Sequence, residues 1–200
     1  MNRPQQRINS PESVIGGVYV MLKRLIGLGL FLSVLILTPA ALASEALAVD
    51  AKAAVLIDAG SGRVLFAQNA DERLPMASTT KIMTALIALE NCSLGETVTA
   101  GPNASGVEGT SIYLSEGEQL SMEHILYGLM LRSGNDAAVA IAEHVSGSVS
   151  AFTDEMNARA AALNADAHFV NPHGLPAEGH AASALGMARI MRQAMTNPDF

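Results

Sequence analysis

Cysteine is nearly absent from this sequence of 200 residues: Cys92 stands alone. That excludes an internal disulfide framework and a zinc cluster built on cysteines. Tryptophan is missing, and aromatic residues make up only 4%, too few for platforms on which bases or sugars stack. A basic excess is missing as well. Twelve Lys plus Arg face nineteen Asp plus Glu, a net of -7. No cationic face is available to displace counterions from phosphates, so no nucleic-acid partner is expected. Apolar residues are plentiful, 50% against 16% charged, which excludes a disordered chain. The length suits one domain, or one domain plus an appendage.

The apolar residues are unevenly spread. Lys23 and Arg24 precede an uncharged stretch from Leu25 to Leu37, followed by Thr38-Pro39-Ala40-Ala41-Leu42-Ala43. A basic flank, a short apolar run, a helix-breaking proline and an Ala-x-Ala end predict a secretory signal cut after Ala43. The competing reading is an uncleaved anchor, but Leu25 to Ala43 is barely long enough to span a bilayer. Residues 1–20 are long and polar for such a signal, so Met21 is the expected start. Residues 1–43 are therefore assigned to an N-terminal extension and signal, and 44–200 to a domain working outside the cytoplasm. A lone cysteine is compatible with that oxidising setting.

No repeat or low-complexity tract follows Ala43. Residues 53–59 and 63–68 read as two strands joined by Gly60-Ser61-Gly62, a hairpin. Ser78 to Glu90 reads as a helix with Ile82, Ala85, Leu86 and Leu89 on one stripe. Short strands are expected at 97–99 and 111–114. A helix from Ser121 is expected to close at Gly134, in the left-handed turn past a helix end. Asn135 would cap the next helix, running to about Val145. Helices over 150–163 and 183–195 follow, separated by a loop at 164–182. A two-strand hairpin with open edges is marginal by itself, and the sheet predicted here is small for the helices around it.

Two short motifs could carry chemistry. In Ser78-Thr79-Thr80-Lys81, serine and lysine lie three apart and share a helix face. The apolar stripe runs back through 81 and 78, so Lys81 projects along the buried side. A buried ammonium needs a partner or loses its proton, and a neutral lysine beside a serine can activate the hydroxyl as a nucleophile. The bland alternative is a helix cap and a surface lysine. In Ser133-Gly134-Asn135, a tight turn between helices offers a hydroxyl to relay a proton and an amide to hold a substrate carbonyl.

Ser-x-x-Lys after a hairpin, then Ser-x-Asn about fifty residues later between helices, resembles the penicillin-recognising serine enzymes. The stretches ASTTKIMTALIALE around Ser78, EGTSIYLSEGEQLSMEHILYGLMLRSGNDAAVAIAEHVSGS around Ser133 and NPHGLP around His173 narrow this. Together they resemble the low-molecular-mass penicillin-binding proteins, the serine-type D-alanyl-D-alanine carboxypeptidases, from about Ala53 to Asn197. The resemblance implies an α/β, β-lactamase/transpeptidase-like fold, with a helical subdomain and an antiparallel sheet flanked by helices. It implies Ser78 as acylated nucleophile, Lys81 as its base, Ser133 as proton shuttle and Asn135 as a substrate-binding residue. It implies a peptidoglycan stem peptide ending in D-Ala-D-Ala as substrate, β-lactam antibiotics as inhibitors and the bacterial cell envelope as location. No cofactor or metal is implied. His173 and Gly174 match a family loop, and turn formation explains them without a chemical role.

The family's Lys-Thr-Gly motif does not occur. The three lysines are Lys23, Lys52 and Lys81, and none precedes Thr-Gly. The resemblance therefore implies a catalytic domain incomplete at the C-terminus, lacking a substrate-carboxylate cation and one oxyanion-hole amide. It also allows membrane association through a further C-terminal segment. A class A-type β-lactamase would need Glu-x-x-x-Asn after Ser-x-Asn, but Glu143 meets Gly147 and Glu155 meets Arg159 at that spacing. A zinc hydrolase would have to use His168, His173 and His180, whose spacing fits no helical metal motif. A secreted, non-catalytic penicillin-binding module is the remaining rival.

Overall fold

The structure is a computed structural model that describes residues 23, 24 and 49–200. The signal reading of 1–43 lies outside the described residues, apart from Lys23 and Arg24. The chain divides into two units, Met1–Leu47 and Ala48–Phe200, and the second carries every element that follows. No described helix is long and apolar enough to cross a membrane.

The hairpin forms as its turn chemistry predicts. Strands β1 (Ala54–Ile57) and β2 (Val64–Gln68) pair antiparallel, with Ala54 opposite Gln68 and Ile57 opposite Val64. Asp58 closes the turn by accepting from the Ser61 amide at 2.7 Å and the Ser61 hydroxyl at 2.5 Å. Gly62 takes φ +74°, a left-handed conformation that glycine adopts without steric cost. Leu56 and Leu65 stay largely exposed, so the hairpin is covered only in part.

Helix α1 (Lys81–Asn91), continuing a single 3₁₀ turn over Ala77–Thr80, differs from the expected one-sided stripe. Met83, Thr84, Ala85, Leu86, Ile87 and Ala88 are all buried, whereas Ile82 and Leu89 are only partly so. The reason is position. Helices α2 (Met122–Leu131), α3 (Asn135–Ser146), α4 (Val149–Ala162) and α5 (Ala184–Ala194) all pack against α1. A helix surrounded by others is apolar all round. Alanines 137, 138, 140 and 142 of α3 are buried, and their small side chains let the helices approach closely. Ser121, Ser148 and Ser183 cap α2, α4 and α5 by accepting from the amides of His124, Ala151 and Gly186. Gly147 ends α3 at φ +77°, its amide donating to Glu143 O at 2.9 Å.

Three expectations change. The strand at 97–99 forms as β4 (Thr97–Thr99), but its partner is β5 (Gln119–Ser121), and 111–114 is not a strand. The amides of Ile112 and Leu114 go to the Asp136 carboxylate instead of a neighbouring strand, and Tyr113 takes φ +64°. The stretch 164–182 is not all loop. It holds β6 (Ala167–His168) and runs into β7 (Ala181–Ser183), which joins β6 and β3 (Arg73–Leu74) in a three-stranded antiparallel sheet. Strands of two or three residues carry no readable periodicity. Finally, the left-handed residue between α2 and α3 is Ser133, at φ +56°, not Gly134. Gly134 is the N-cap of α3, with Asn135 as its first residue. A Cβ at 134 would stand 2.9 Å from Asp136 Oδ1 and 3.3 Å from Gly128 O, so the glycine serves close packing.

Candidate active site

Four side chains named from the sequence converge. Ser78 sits exposed in the 3₁₀ turn, and Lys81, one turn on, lies beneath it at 2% exposure. Lys81 Nζ lies 3.4 Å from Ser78 Oγ, 2.8 Å from Asn135 Oδ1 and 2.6 Å from the His173 carbonyl oxygen. Ser133 Oγ donates to Ser78 Oγ at 3.0 Å. The snorkelling alternative for Lys81 is thereby excluded. Ser133 reaches Ser78 from a left-handed backbone that serine seldom adopts, a local strain typical of functional turns.

The lysine environment decides its protonation. Burial lowers its pKa from 10.5 to about 8. An ammonium has three hydrogens for three acceptors. A neutral amine keeps two, and two of the surrounding oxygens, Asn135 Oδ1 and His173 O, can only accept. The lone pair is then left facing Ser78 Oγ, the one partner with a hydrogen to give. Asn135 is held in turn, its Nδ2 donating to Glu108 O and its backbone amide to Thr110 O, both at 2.7 Å.

The His173 carbonyl was missed by sequence reasoning. The turn expected in NPHGLP is present: Asn171 Oδ1 accepts from the amides of His173 and Gly174, and its Nδ2 donates to Leu175 O. This turn also delivers acceptors to α1, because Thr84 Oγ1 donates to Pro172 O at 2.6 Å beside the Lys81 contact. Next to it, His180 accepts the Val170 amide hydrogen at Nδ1. In the neutral ring the hydrogen is then on Nε2, which donates to Thr80 Oγ1 at 2.9 Å. Burial, with His168 nearby, lowers the His180 pKa. Burial, with Lys81 and His180 nearby, lowers that of His173 to about 4. Both rings are neutral at neutral pH. Among the described residues His168, His173 and His180 form no three-ligand group.

Gly174 has a stricter requirement than turn formation. Its φ is +95°, and a Cβ there would stand 1.9 Å from Ala77 O and 3.1 Å from Ser78 N. The loop therefore lies directly on the backbone that carries Ser78. Gly174→Ala should force that backbone or the loop aside. A misplacement of about 1 Å lowers rates by roughly 10², and labelling kinetics with a fluorescent penicillin should show a loss of at least that order.

Asp136 is a second residue the sequence did not flag. It is fully buried, and its carboxylate accepts from Ser111 Oγ at 2.6 Å and from the amides of Ile112, Leu114 and Ala137 at about 3 Å. Burial by itself would raise its pKa, but these hydrogen bonds outweigh it and hold the group below the ordinary carboxylate value. Asp136 thus pins the segment that leads back to Glu108 and Thr110, the acceptors of Asn135. In Asp136→Asn an amide NH2 would face donors, costing about 1–3 kcal/mol. A melting temperature lowered by several degrees is expected. The stabilisation by the carboxylate is complete above its unfolded pKa and is lost as pH falls through the lower folded value. The gap between wild type and variant should therefore narrow in acid.

The two glutamates considered for a β-lactamase do not serve this site. Glu143 Oε1 accepts from Asn103, and Glu155 accepts from Asn91 and Ser146. What remains is an exposed serine with a buried lysine beside it and a second serine within hydrogen-bond reach, an arrangement that can activate a hydroxyl for acyl transfer.

Comparison with known proteins narrows the class. The profile of the D-alanyl-D-alanine carboxypeptidase family matches residues 40–199. D-alanyl-D-alanine carboxypeptidase DacF of Bacillus subtilis (strain 168) is 41% identical over 153 residues, covering 74% of this chain and 39% of that protein. The crystal structure of DacD from Francisella tularensis superposes with a TM-score of 0.73 at 35% identity, over 76% of this chain and 38% of that one. Penicillin binding protein 5 from Haemophilus influenzae gives 0.71 at 34% identity, over 76% and 47%. The chain belongs to the D-alanyl-D-alanine carboxypeptidase family of serine peptidases, and its fold is the β-lactamase-like α/β fold of these structures. It spans between about two-fifths and half of the length of the curated relatives it matches.

Proposed function

We propose that this protein is a penicillin-sensitive serine-type D-Ala-D-Ala carboxypeptidase that removes the terminal D-alanine from peptidoglycan stem peptides. The observation that carries the reading is the position of Lys81, buried, with two carbonyl acceptors and Ser78 around its nitrogen. Neutral Lys81 takes the Ser78 proton while Ser78 Oγ forms a bond to the carbonyl carbon of the penultimate D-alanine. The C–N bond to the last residue breaks, and its amine leaves with a proton returned through Lys81 and Ser133. Water then cleaves the ester and releases Ser78. A β-lactam follows the first step, opening its ring on Ser78.

Incubating the protein, extended through the Lys-Thr-Gly strand that the family carries, with a D-Ala-D-Ala peptide tests this directly. Release of one D-alanine per peptide, blocked by penicillin, is expected. Penicillin capture without D-alanine release would favour the non-catalytic module.

We further assign residues 1–43 to a leader that directs the protein to the cell envelope, supported by the Ala41-Leu42-Ala43 site. Mass spectrometry of exported protein should find Ser44 at the N-terminus. Recovery of intact residues 21–43 in membranes would favour an anchor instead.

A further inference from the structure

Away from the catalytic residues, the opposite ends of α1 and α3 bring together three different ligand types. Cys92 is the residue after α1, its amide donating to Ala88 O at 2.9 Å. Glu96 follows a turn closed by its own amide on Ser93 O, and its carbonyl accepts from Met122 N at 2.8 Å. His144 lies in the last turn of α3. The Cys92 sulfur and ligand atoms of Glu96 and His144 all lie within 4.8 Å of one another, and His144 Nε2 is 2.9 Å from Glu96 Oε1.

We propose that Cys92, Glu96 and His144 form a zinc-type metal site that ties the end of α1 to the end of α3. The chemistry of the set selects the ion. A thiolate and an imidazole favour zinc over magnesium or calcium, which prefer oxygen. Thiolate and carboxylate together neutralise a divalent cation, and the imidazole adds a neutral nitrogen. Zinc holds such ligands at about 2.0–2.3 Å in a tetrahedron. Binding would therefore exchange the direct His144–Glu96 contact for bonds to the ion and bring the Cys92 sulfur closer, an adjustment within reach of the exposed Glu96 side chain. Glu155, the other carboxylate near Cys92, already accepts from Asn91 and Ser146, so the fourth position is left to water. A single thiolate in a mixed set is not the cysteine cluster that composition excludes. Its third member is remote in sequence, which hides it from spacing rules. Helices of 11 and 12 residues separate this site from Lys81 and Asn135, about 15 Å along each axis. The site is a structural clamp, independent of the proposed hydrolysis.

The test uses the purified full chain, reduced and metal-free, titrated with Co2+ and then Zn2+. One equivalent of Co2+ should give a thiolate-to-cobalt charge-transfer band that Zn2+ displaces. Zinc at a hundred times its Kd should raise the melting temperature by roughly 5–10 °C. Cys92→Ser and His144→Gln should each remove the band or weaken binding by at least about 100-fold, the upper range for losing even an outer partner. Both should keep penicillin labelling. As a check that needs no variant, zinc should slow alkylation of Cys92 in the wild type. Absence of the band, an unchanged alkylation rate, or zinc affinity retained in both variants would overturn the site and leave the His144–Glu96 contact as a plain hydrogen bond.

Discussion

Ser78→Ala is expected to abolish covalent capture of a fluorescent penicillin while leaving the protein folded. The loss should be complete, because the adduct is an ester on the Ser78 oxygen and no other hydroxyl can replace it. Ser133 is the nearest candidate, 3.0 Å from Ser78 Oγ, whereas the oxygens bound around Lys81 Nζ are those of Ser78, Asn135 and His173. The fold should survive, because Ser78 is exposed and its hydroxyl caps no helix. Its partners lose one weak contact each, and Lys81 keeps Asn135 and His173. Circular dichroism and thermal melting should match the wild type. Labelling that persists in Ser78→Ala, at any residue, would move the nucleophile elsewhere.

The second large effect concerns Lys81. Lys81→Met removes the general base and should slow acylation by roughly 10²–10⁴. The pH profile separates this role from simple positioning. In the wild type the acylation rate should rise with pH through about 8, where the lysine loses its proton. The residual reaction of the variant should lack that inflection. Stability carries the same signature with a fixed sign. The folded pKa lies below the ordinary 10.5, so the unfolded chain binds the proton more tightly. For this group stability is at its lowest below about 8, and rises with pH between that value and 10.5. Lys81→Met should flatten that rise. An unchanged acylation rate, or the same inflection in the variant, would remove Lys81 from the role of base.

These predictions rest on residues of two kinds. Ser78, Lys81, Ser133 and Asn135 were legible because each pair is close in the chain. Three residues along a helix place Ser78 and Lys81 together, and a two-residue turn places Ser133 and Asn135. The starts of α2 at Ser121 and α5 at Ser183 were readable on similar grounds, since a serine there bonds to an amide three residues on, whereas α4 begins after Ser148, ahead of the expected start at Ser150. The hairpin turn was readable because Asp58 and Ser61 close it locally.

The rest required distant partners. Asp136 looks like an ordinary acid in a first helical turn until the loop at 111–114 wraps its carboxylate. That contact also took away the strand expected there, because amides spent on a carboxylate cannot pair with a neighbour. Helix α1 was expected to show one apolar stripe, and four neighbouring helices buried seven of its eleven residues. Gly174 read as a turn residue, and its pressure against Ala77 O became visible only when residues 97 positions apart were in contact.

By itself, then, the sequence determined the Ser78–Lys81 pair, the Ser133–Asn135 pair, the helix that follows Ser78 and the family pattern, because those depend on spacings of three residues and on local turn chemistry. Only the tertiary structure decided that Lys81 is a buried amine with two fixed acceptors and not a surface cation. That outcome depends on burial and on the His173 carbonyl, supplied from 92 residues away. Burial and the count of acceptors around one nitrogen are properties of packing, and no local spacing encodes them.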